Sequence, residues 1–175
     1  MTKTAVVAYS GGLDTSCILA WLKEDWYGFD EVVAVLVDVG QEFDLKESMT
    51  RARAAEADDV LLVDRKDAFA DEQCARAIVT NALYEGKYPL ATALGRPLIA
   101  KLLVDAAREH GAKAVAHGCT GKGNDQVRFD VTFQTLAPAL KIIAPVREWK
   151  MSRPEALAYA AKHMIQVDVK PESPY

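Results

Sequence analysis

The sequence predicts an α/β fold, a three-layer doubly wound sandwich with a five-stranded, mainly parallel sheet. Strand-like apolar runs alternate with longer helix-like segments along the chain, which is the order that parallel sheets require. Two glycine-rich turns each follow an apolar run and precede a helix-like segment. A length of 175 residues suits one domain with a sizeable core. Ligands are then expected at the carboxyl ends of the strands, near a topological switch point.

Five apolar runs predict the strands, which cover residues 4–9, 31–37, 60–63, 114–116 and 141–144. Helices are predicted over residues 15–26, 47–57, 69–84, 97–110, from the second glycine turn to about residue 136, and from residue 152 to residue 163. The third helix is expected to bury one apolar face, made of Ala75, Ile78, Val79, Ala82 and Leu83. Pro97 suits the first position of its helix, and Ser152 with Glu155 forms a capping box.

Composition excludes several classes of function. The net charge of −4 argues against a general nucleic-acid or membrane binder, because there is no basic excess. Cys17, Cys74 and Cys119 are odd in number and lack C-x-x-C spacing, which disfavours disulfides and zinc. There is no apolar stretch of ~18 residues and no signal-peptide pattern. We therefore expect a cytoplasmic protein.

The first glycine turn predicts a phosphate site. Residues 10–16 read Ser-Gly-Gly-Leu-Asp-Thr-Ser between a strand and a helix, so backbone N–H groups and a helix N-terminus converge there. No Gly-Lys follows Gly11 or Gly12, which excludes Walker A, and the dinucleotide fingerprint is absent. The simpler alternative is an ordinary helix start, capped by Asp14 or Thr15.

The second glycine turn, within residues 117–129, contains three glycines and then Asn124 and Asp125 at the start of a helix. Arg128 lies one helical turn beyond Asn124 and suits a carboxylate ligand. The alternative is a flexible turn with an Asn124 or Asp125 cap and a solvated Arg128. Cys119 lies two residues from His117, but such neighbours across a turn need not face each other, so a thiol nucleophile is not expected.

Together with residues 83–97, which alone would indicate only turn packing, these two segments resemble the argininosuccinate synthase family of PP-loop ATP pyrophosphatases. The matching stretches are residues 8–16, 117–129 and 83–97, with Gly95 where the family usually has alanine. The resemblance implies an adenine nucleotide alpha hydrolase-like, Rossmann-like fold. It also implies a ligase of arginine biosynthesis that joins citrulline to aspartate, through a citrullyl-adenylate, while ATP is split to AMP and pyrophosphate.

The same resemblance implies the site residues. ATP would be bound by Ala8, Tyr9, Ser10, Gly11, Gly12, Leu13, Asp14, Thr15, Ser16, Val37 and Gly118. The amino-acid substrates would be bound by Tyr88, Thr92, Ala93, Thr120, Asn124, Asp125 and Arg128, of which Ala93 offers only its backbone. Asp14, Asp125 and Arg128 are the catalytic candidates. Mg²⁺ is expected on the phosphates with Asp14 as the nearest carboxylate, and no protein metal centre is predicted.

Family members are more than twice as long as this sequence. We therefore expect an ATP-binding PP-loop domain over residues 1–165 and an extended tail over residues 166–175 that leads towards a synthetase and oligomerisation domain. The full-length form is expected to be a homotetramer. Two alternatives stay open, an ATP-binding module without turnover and another PP-loop pyrophosphatase of the amidotransferase or tRNA-modifying type.

Overall fold

The computed structural model of the protein describes residues 2–42, 44–149 and 151–166, so nearly all of the predicted tail lies outside the described residues. Five strands form the main sheet: β1 (Thr4–Ala8), β2 (Glu31–Asp38), β3 (Asp59–Asp64), β6 (Ala114–His117) and β7 (Lys141–Ile143). Two short strands, β4 (Leu83–Tyr84) and β5 (Tyr88–Pro89), pair separately as an antiparallel hairpin.

The main sheet has the strand order β3-β2-β1-β6-β7, and all four pairings are parallel. The predicted parallel sheet is therefore confirmed. The order reverses between β1 and β6, where Ala8 pairs with His117 at the carboxyl end of both strands. This edge is the topological switch point, at which open α/β sheets place their ligands.

Helices cover both faces of the sheet. They are α1 (Leu13–Trp21), α2 (Leu45–Ala54), α3 (Lys66–Ala68), α4 (Ala75–Val79), α5 (Ala91–Glu109), α6 (Asp125–Leu136), α7 (Pro145–Glu148) and α8 (Arg153–Lys162). Side chains alternate along β1, so that Ala5 and Val7 pack in the cluster with α1 and α8. Val6 packs on the opposite face with α5 and α6. The three-layer sandwich follows from this alternation.

The first helix is shorter than predicted. Helix α1 ends at Trp21 instead of continuing to residue 26, and Trp26 is 81% exposed. The chain turns because Gly28 adopts φ +58° and donates its N–H to the Glu24 carbonyl at 2.8 Å. Phe29 then enters the core, where it is 5% exposed.

The segment between β3 and α5 contradicts the predicted helix over residues 69–84. It contains α3, a π-helical turn (Phe69–Cys74), α4 and the β4–β5 hairpin. The predicted buried face is wrong as well, since Ile78 is 78% and Val79 86% exposed. Asn81 adopts φ +49°, a left-handed conformation that ends the helix before the hairpin.

Helix α5 begins at Ala91, six residues before the predicted start at Pro97. Pro97 lies inside this helix, which its own fixed φ of about −65° allows. Because proline has no N–H, the Ala93 carbonyl lacks the donor that the helix would normally supply. Helix α5 ends with His110 at its C-cap, as the sequence predicts.

The remaining boundaries differ by a few residues. Helix α2 starts at Leu45 because the Asp44 carboxylate accepts the Lys46 and Glu47 N–H groups at 2.8 and 3.0 Å. Helix α8 has the predicted capping box, in which Glu155 accepts the Ser152 N–H at 2.7 Å, and it ends with His163 at its C-cap. The predicted last strand, over residues 141–144, ends one residue early in β7, and the short α7 follows.

Candidate functional site

The first glycine turn connects β1 to α1 at the switch point. Gly11 adopts φ +80°, a conformation that favours glycine, and Gly12 is the N-cap of α1. Neither Asp14 nor Thr15 caps the helix, so the simpler alternative of a side-chain cap is wrong. Within the described residues, the N–H groups of Gly11, Gly12, Leu13 and Asp14 have no hydrogen-bond acceptor. The turn therefore presents unused donors together with the positive end of a helix.

Hydroxyl groups surround this turn. Ser10 Oγ lies 3.1 Å from Thr15 Oγ1, which also donates to the Gly12 carbonyl at 3.2 Å. Ser16 is fully buried, and its hydroxyl lies 2.9 Å from the Tyr9 hydroxyl. Burial raises the pKa of Tyr9, so the phenol is protonated at neutral pH. Ser10 and Thr15 thus face the turn, whereas Ser16 bonds behind it.

Helix α2 packs directly against the first turn. A Cβ atom on Gly11 would lie 2.6 Å from Ser48 Oγ, so the approach requires glycine. Arg51 Nη1 donates to the Gly11 carbonyl at 2.8 Å, and its Nη2 pairs with Glu47 at 2.8 Å. The guanidinium places a positive charge beside the turn, which favours an anionic ligand.

Asp14 projects from the first turn of α1. Although the residue keeps contact with solvent, partial burial raises the pKa of its carboxyl, against the effect of the nearby Arg153 charge. Arg153 opens α8, which packs beside α1 through the Cys17 thiol and the Ala156 carbonyl at 3.6 Å. Two nitrogens of Arg153, Nε and Nη2, are buried without a partner among the described residues.

A cleft of about 420 Å³ opens beside the first turn. Its apolar wall comes from the end of β2 and from α5 and α6, and its other wall comes from the two glycine turns. The residues lining it include Tyr9, Ser10, Thr15, Val37, Gln41, Arg96, Gly118 and Phe129. An apolar slot next to exposed N–H donors suits a flat, uncharged ring attached to an anionic group.

The second glycine turn begins against the first. A Cβ atom on Gly118 would lie 2.9 Å from Thr15 Cγ2, so only glycine lets the two turns meet this closely. Thr120, further along the turn, is exposed, and its hydroxyl donates to the Lys122 carbonyl at 3.2 Å. Asn124 is the N-cap of α6 without a side-chain cap bond, so the amide is available to a ligand.

Two arginines contact Asp125 at the start of α6. Arg96 of α5 lies 3.0 Å from one carboxylate oxygen, and Arg128 lies 2.8 Å from the other. The expected neighbourhood of Asp125 and Arg128 is therefore present, and Arg128 is partly buried rather than solvated. The fold also brings α5 to this point, since Thr92 lies one helical turn before Arg96.

Tyr88 and Thr92 approach the site from the third segment. Tyr88 belongs to the β4–β5 hairpin and is 55% exposed, while Thr92 is half-buried in the first turn of α5. In the described part of the chain, neither side chain bonds to Asn124 or Arg128. The structure thus puts both residues on elements next to the site, without a hydrogen bond to Asn124 or Arg128 among the described residues.

The cysteines show no catalytic arrangement. Burial raises the pKa of Cys119 to about 11, so its thiolate is scarce at neutral pH. Its backbone N–H, rather than its thiol, contacts His117, donating to Nδ1 at 3.2 Å. Cys17, Cys74 and Cys119 are free thiols. The expectation that no thiol nucleophile is present agrees with this geometry.

Sequence reasoning missed three residues that contact the two turns. Ser48 and Arg51 lie in the helix predicted over residues 47–57, to which the sequence assigned no role at the site, and Arg96 precedes the predicted start of its helix at Pro97. Arg51 lies four residues after Glu47, the spacing of an ordinary helix-surface ion pair. No local pattern distinguishes it from a solvated arginine.

No group of three or more His, Cys, Asp or Glu side chains that could hold a metal ion occurs in residues 2–42, 44–149 and 151–166. Mg²⁺ commonly takes one or two carboxylates and completes its shell with phosphate oxygens and water. Asp14 supplies one carboxylate beside the first turn. The residues present therefore fit a Mg²⁺ ion that is held by one carboxylate, phosphate oxygens and water. Over the same residues, no helix is long and apolar enough to cross a membrane.

Two solved structures share this fold. NAD⁺ synthetase from Burkholderia pseudomallei superposes with a TM-score of 0.57 over 95% of this chain and 61% of its own, at 18% identity. The U34-tRNA thiolase from Methanococcus maripaludis superposes with a TM-score of 0.61 over 99% of this chain and 61% of its own, also at 18% identity. Matches at this identity define the fold alone.

The chain belongs to the argininosuccinate synthase family. The family's N-terminal HUP domain, described as "Arginosuccinate synthase N-terminal HUP domain", matches residues 4–166. Argininosuccinate synthase from Oceanobacillus iheyensis is 56% identical over all of this chain and 42% of its own length. That from Synechocystis sp. is 51% identical over 99% of this chain and 43% of its own. The chain thus spans less than half the length of these curated relatives.

Proposed function

We propose that this chain is the ATP-binding part of an enzyme that condenses citrulline and aspartate to argininosuccinate, releasing AMP and pyrophosphate. The contact between Gly118 and Thr15 is the main support for this proposal. It joins the first glycine turn, proposed to bind phosphate, to the second glycine turn, proposed to bind amino acids. Family membership supports the same reaction. The proposed domain is residues 1–165, with the tail 166–175 beyond it.

In the proposed reaction, the citrulline ureido oxygen attacks the α-phosphorus of ATP and pyrophosphate leaves with the electron pair. The unused N–H groups of the first turn would stabilise the departing anion, with the Ser10 hydroxyl beside them. Ser16 would support the turn from behind through its bond to Tyr9. Val37 and Gly118 would contact the nucleotide in the cleft. Mg²⁺, which would neutralise phosphate charge, is proposed to use Asp14.

The amine of aspartate would then attack the activated carbon and displace AMP. We propose that Thr120, Asn124 and Asp125 bind aspartate, and that Tyr88, Asn124 and Arg128 bind citrulline. Thr92 and the backbone of Ala93 complete this side, where the Ala93 carbonyl lacks its usual helical donor because Pro97 has no N–H. Catalysis here depends on positioning and charge neutralisation rather than on a strong base.

The full-length protein tests this proposal. Incubated with ATP, citrulline and aspartate, it is expected to form argininosuccinate and AMP in equal amounts, with no AMP when citrulline is omitted. AMP formation that depends on tRNA or on an amide donor instead would support a different PP-loop reaction. We further propose a cytoplasmic location and a homotetrameric full-length form, which cell fractionation and light scattering would test.

A second function is proposed for this polypeptide by itself, namely ATP binding without turnover. It is favoured by the match to only 42–43% of the length of the relatives. Calorimetry should detect ATP binding, while a sensitive AMP assay should detect no citrulline-dependent cleavage. Citrulline-dependent AMP formation by the 175-residue chain would contradict this.

A further inference from the structure

A chain of hydrogen bonds supports the second glycine turn from behind, beginning at His117. This residue is fully buried at the end of β6, and its ring stacks on Phe129 with centroids 5.3 Å apart. Its Nδ1 accepts the Cys119 N–H at 3.2 Å, so the proton of the neutral ring lies on Nε2. Nε2 donates to Asp130 Oδ1 at 2.9 Å. The ring therefore joins the start of the turn to the middle of α6.

The chain of bonds continues through α7 and returns to the turn. Arg147 Nη1 donates to the second oxygen of Asp130 at 3.2 Å and to Gln126 Oε1 at 2.8 Å. Gln126 Nε2 then donates to the Gly121 carbonyl at 3.0 Å. The stem of Arg147 also runs along the turn, since a Cβ atom on Gly121 would lie 3.9 Å from its Cδ.

This arrangement fixes the peptide groups on both sides of Thr120. The Cys119 N–H is bonded on one side and the Gly121 carbonyl on the other, and both bonds lead back to Asp130 and Arg147. Thr120 itself is exposed, with its hydroxyl directed to the Lys122 carbonyl. A turn containing three glycines loses much entropy when a ligand orders it, unless other bonds have already ordered it.

We propose that Arg147 and Gln126 are positioning residues for the amino-acid acceptor, because they hold the backbone around Thr120 in the conformation that binds it. The inference rests on the proposed function, in which Thr120, Asn124 and Asp125 bind aspartate. ATP binding depends instead on the first turn and on Gly118, and in the described part of the chain neither Arg147 nor Gln126 hydrogen-bonds to these residues. Loss of either side chain therefore weakens aspartate binding more than ATP binding.

The test uses steady-state kinetics of the full-length protein with three variants. Arg147→Met keeps the length of the stem and removes both donated bonds. Arg147→Lys keeps the charge but loses the planar fork. Gln126→Glu keeps an acceptor for Arg147 and removes the donor to Gly121. Arg108→Met is the matched control, since Arg108 is an exposed arginine of α5 that bonds to the Leu136 carbonyl.

Gln126→Glu is expected to raise KM for aspartate about tenfold, the change that corresponds to one lost hydrogen bond. Arg147→Met, which loses two donated bonds, is expected to raise it at least as much. Their KM for ATP should change by less than about threefold, and kcat should fall little. Arg147→Lys should resemble Arg147→Met more than the wild type. Arg108→Met should leave all three parameters unchanged.

Hydrogen exchange supplies a readout that does not depend on activity. The Cys119 amide should exchange faster in Arg147→Met than in the wild type, while amides of β1 and β2 keep their protection. Unchanged exchange at Cys119 overturns the proposal, and so does an equal rise in KM for all substrates, which a general loss of structure would cause. If the full-length wild type makes no argininosuccinate, the proposed function fails, and the assignment of the acceptor fails with it.

Discussion

The two glycine turns lie side by side at the switch point but are held in different ways. The first is enclosed by β1, α1 and α2, and Gly11, Leu13, Thr15 and Ser16 are all buried. In the second, residues 120–124 are exposed, and the backbone is held mainly by side chains reaching from α6 and α7. A turn fixed by packing is preformed, whereas a turn fixed by a few hydrogen bonds depends on each of them.

The two turns are therefore suited to different ligands. A pyrophosphate has one shape and one charge pattern, and the enclosed first turn presents rigid N–H donors to it. The second turn would accept an amino acid through side chains, whose geometry depends on the bonds behind them. Substitutions in the first turn should therefore affect folding and ATP binding together, and substitutions around the second should separate them.

The largest effect is expected for Gly11→Ala. Its φ of +80° is unfavourable for alanine, and the new Cβ would lie 2.6 Å from Ser48 Oγ. We expect a loss of roughly 2–4 kcal/mol in the free energy of unfolding and no measurable ATP binding. Urea denaturation and calorimetry measure the two. Adding Ser48→Gly should recover only part of the stability, because the φ strain stays, so full recovery would contradict this account.

Gly118→Ala should lower the free energy of unfolding by less, about 1–3 kcal/mol. The new Cβ atom causes a steric clash there, but Gly118 has no left-handed φ that would add backbone strain. The new Cβ would lie 2.9 Å from Thr15 Cγ2 and 3.5 Å from Ile18 Cδ1. Thr15→Ser removes the closer atom and keeps the hydroxyl that bonds to Ser10. The double variant should thus regain most of the lost stability and ATP affinity. A double variant as weak as Gly118→Ala would show that the two turns do not meet here.

Protonation of His117 should loosen the second turn at acidic pH. Burial lowers the pKa of His117 below its ordinary value of about 6.5, although Asp130 acts in the opposite direction. As the pH falls below about 6.5, the unfolded chain takes up the proton first, so the folded state loses stability until the pH passes the lower folded-state pKa.

The measurement compares wild type with His117→Asn by urea denaturation between pH 7.5 and 5. The wild type should lose more stability than the variant over this range, because only the wild type has a buried imidazole whose pKa is lowered on folding. Equal losses in both proteins would mean that His117 does not titrate as described.

The smallest effect, and one of opposite sign, is expected for Gly95→Ala. Gly95 lies inside α5 without a positive φ, and a Cβ there would meet Phe69 at 3.8 Å, an ordinary contact. Alanine should therefore stabilise the protein by about 0.5–1 kcal/mol. Thermal unfolding measures the shift, and a destabilised variant would indicate that the helix needs a closer approach at this position.

The sequence predicted the elements whose packing repeats along the chain. The continuous apolar runs of β1 and β2 can be satisfied only by a sheet covered on both faces, so the parallel sheet followed from them. The first turn was equally clear, because its glycines and hydroxyls lie between a strand and a helix. The sheet and the first turn could both be predicted because each depends on residues that are neighbours in the sequence.

The sequence-based predictions were wrong or incomplete where tertiary contacts decide whether a side chain is buried and what it bonds to. Ile78 and Val79 have helical spacing, yet no element among the described residues covers them, so the amphipathic pattern did not predict burial. Arg51 and Arg147 have the sequence context of solvated surface arginines. Only the fold shows that Arg51 donates to the Gly11 carbonyl and that Arg147 donates to Asp130, which holds the second turn through His117. Such long-range bonds have no signature in local sequence.

We propose that the two turns form one nucleotide site, and backbone amide shifts on ATP titration test this most directly. With ¹⁵N-labelled chain and Mg²⁺, the amides of Gly11, Gly12 and Leu13 should shift together with that of Gly118, with one common dissociation constant. Shifts confined to the first turn, with Gly118 unaffected at saturation, would contradict the account.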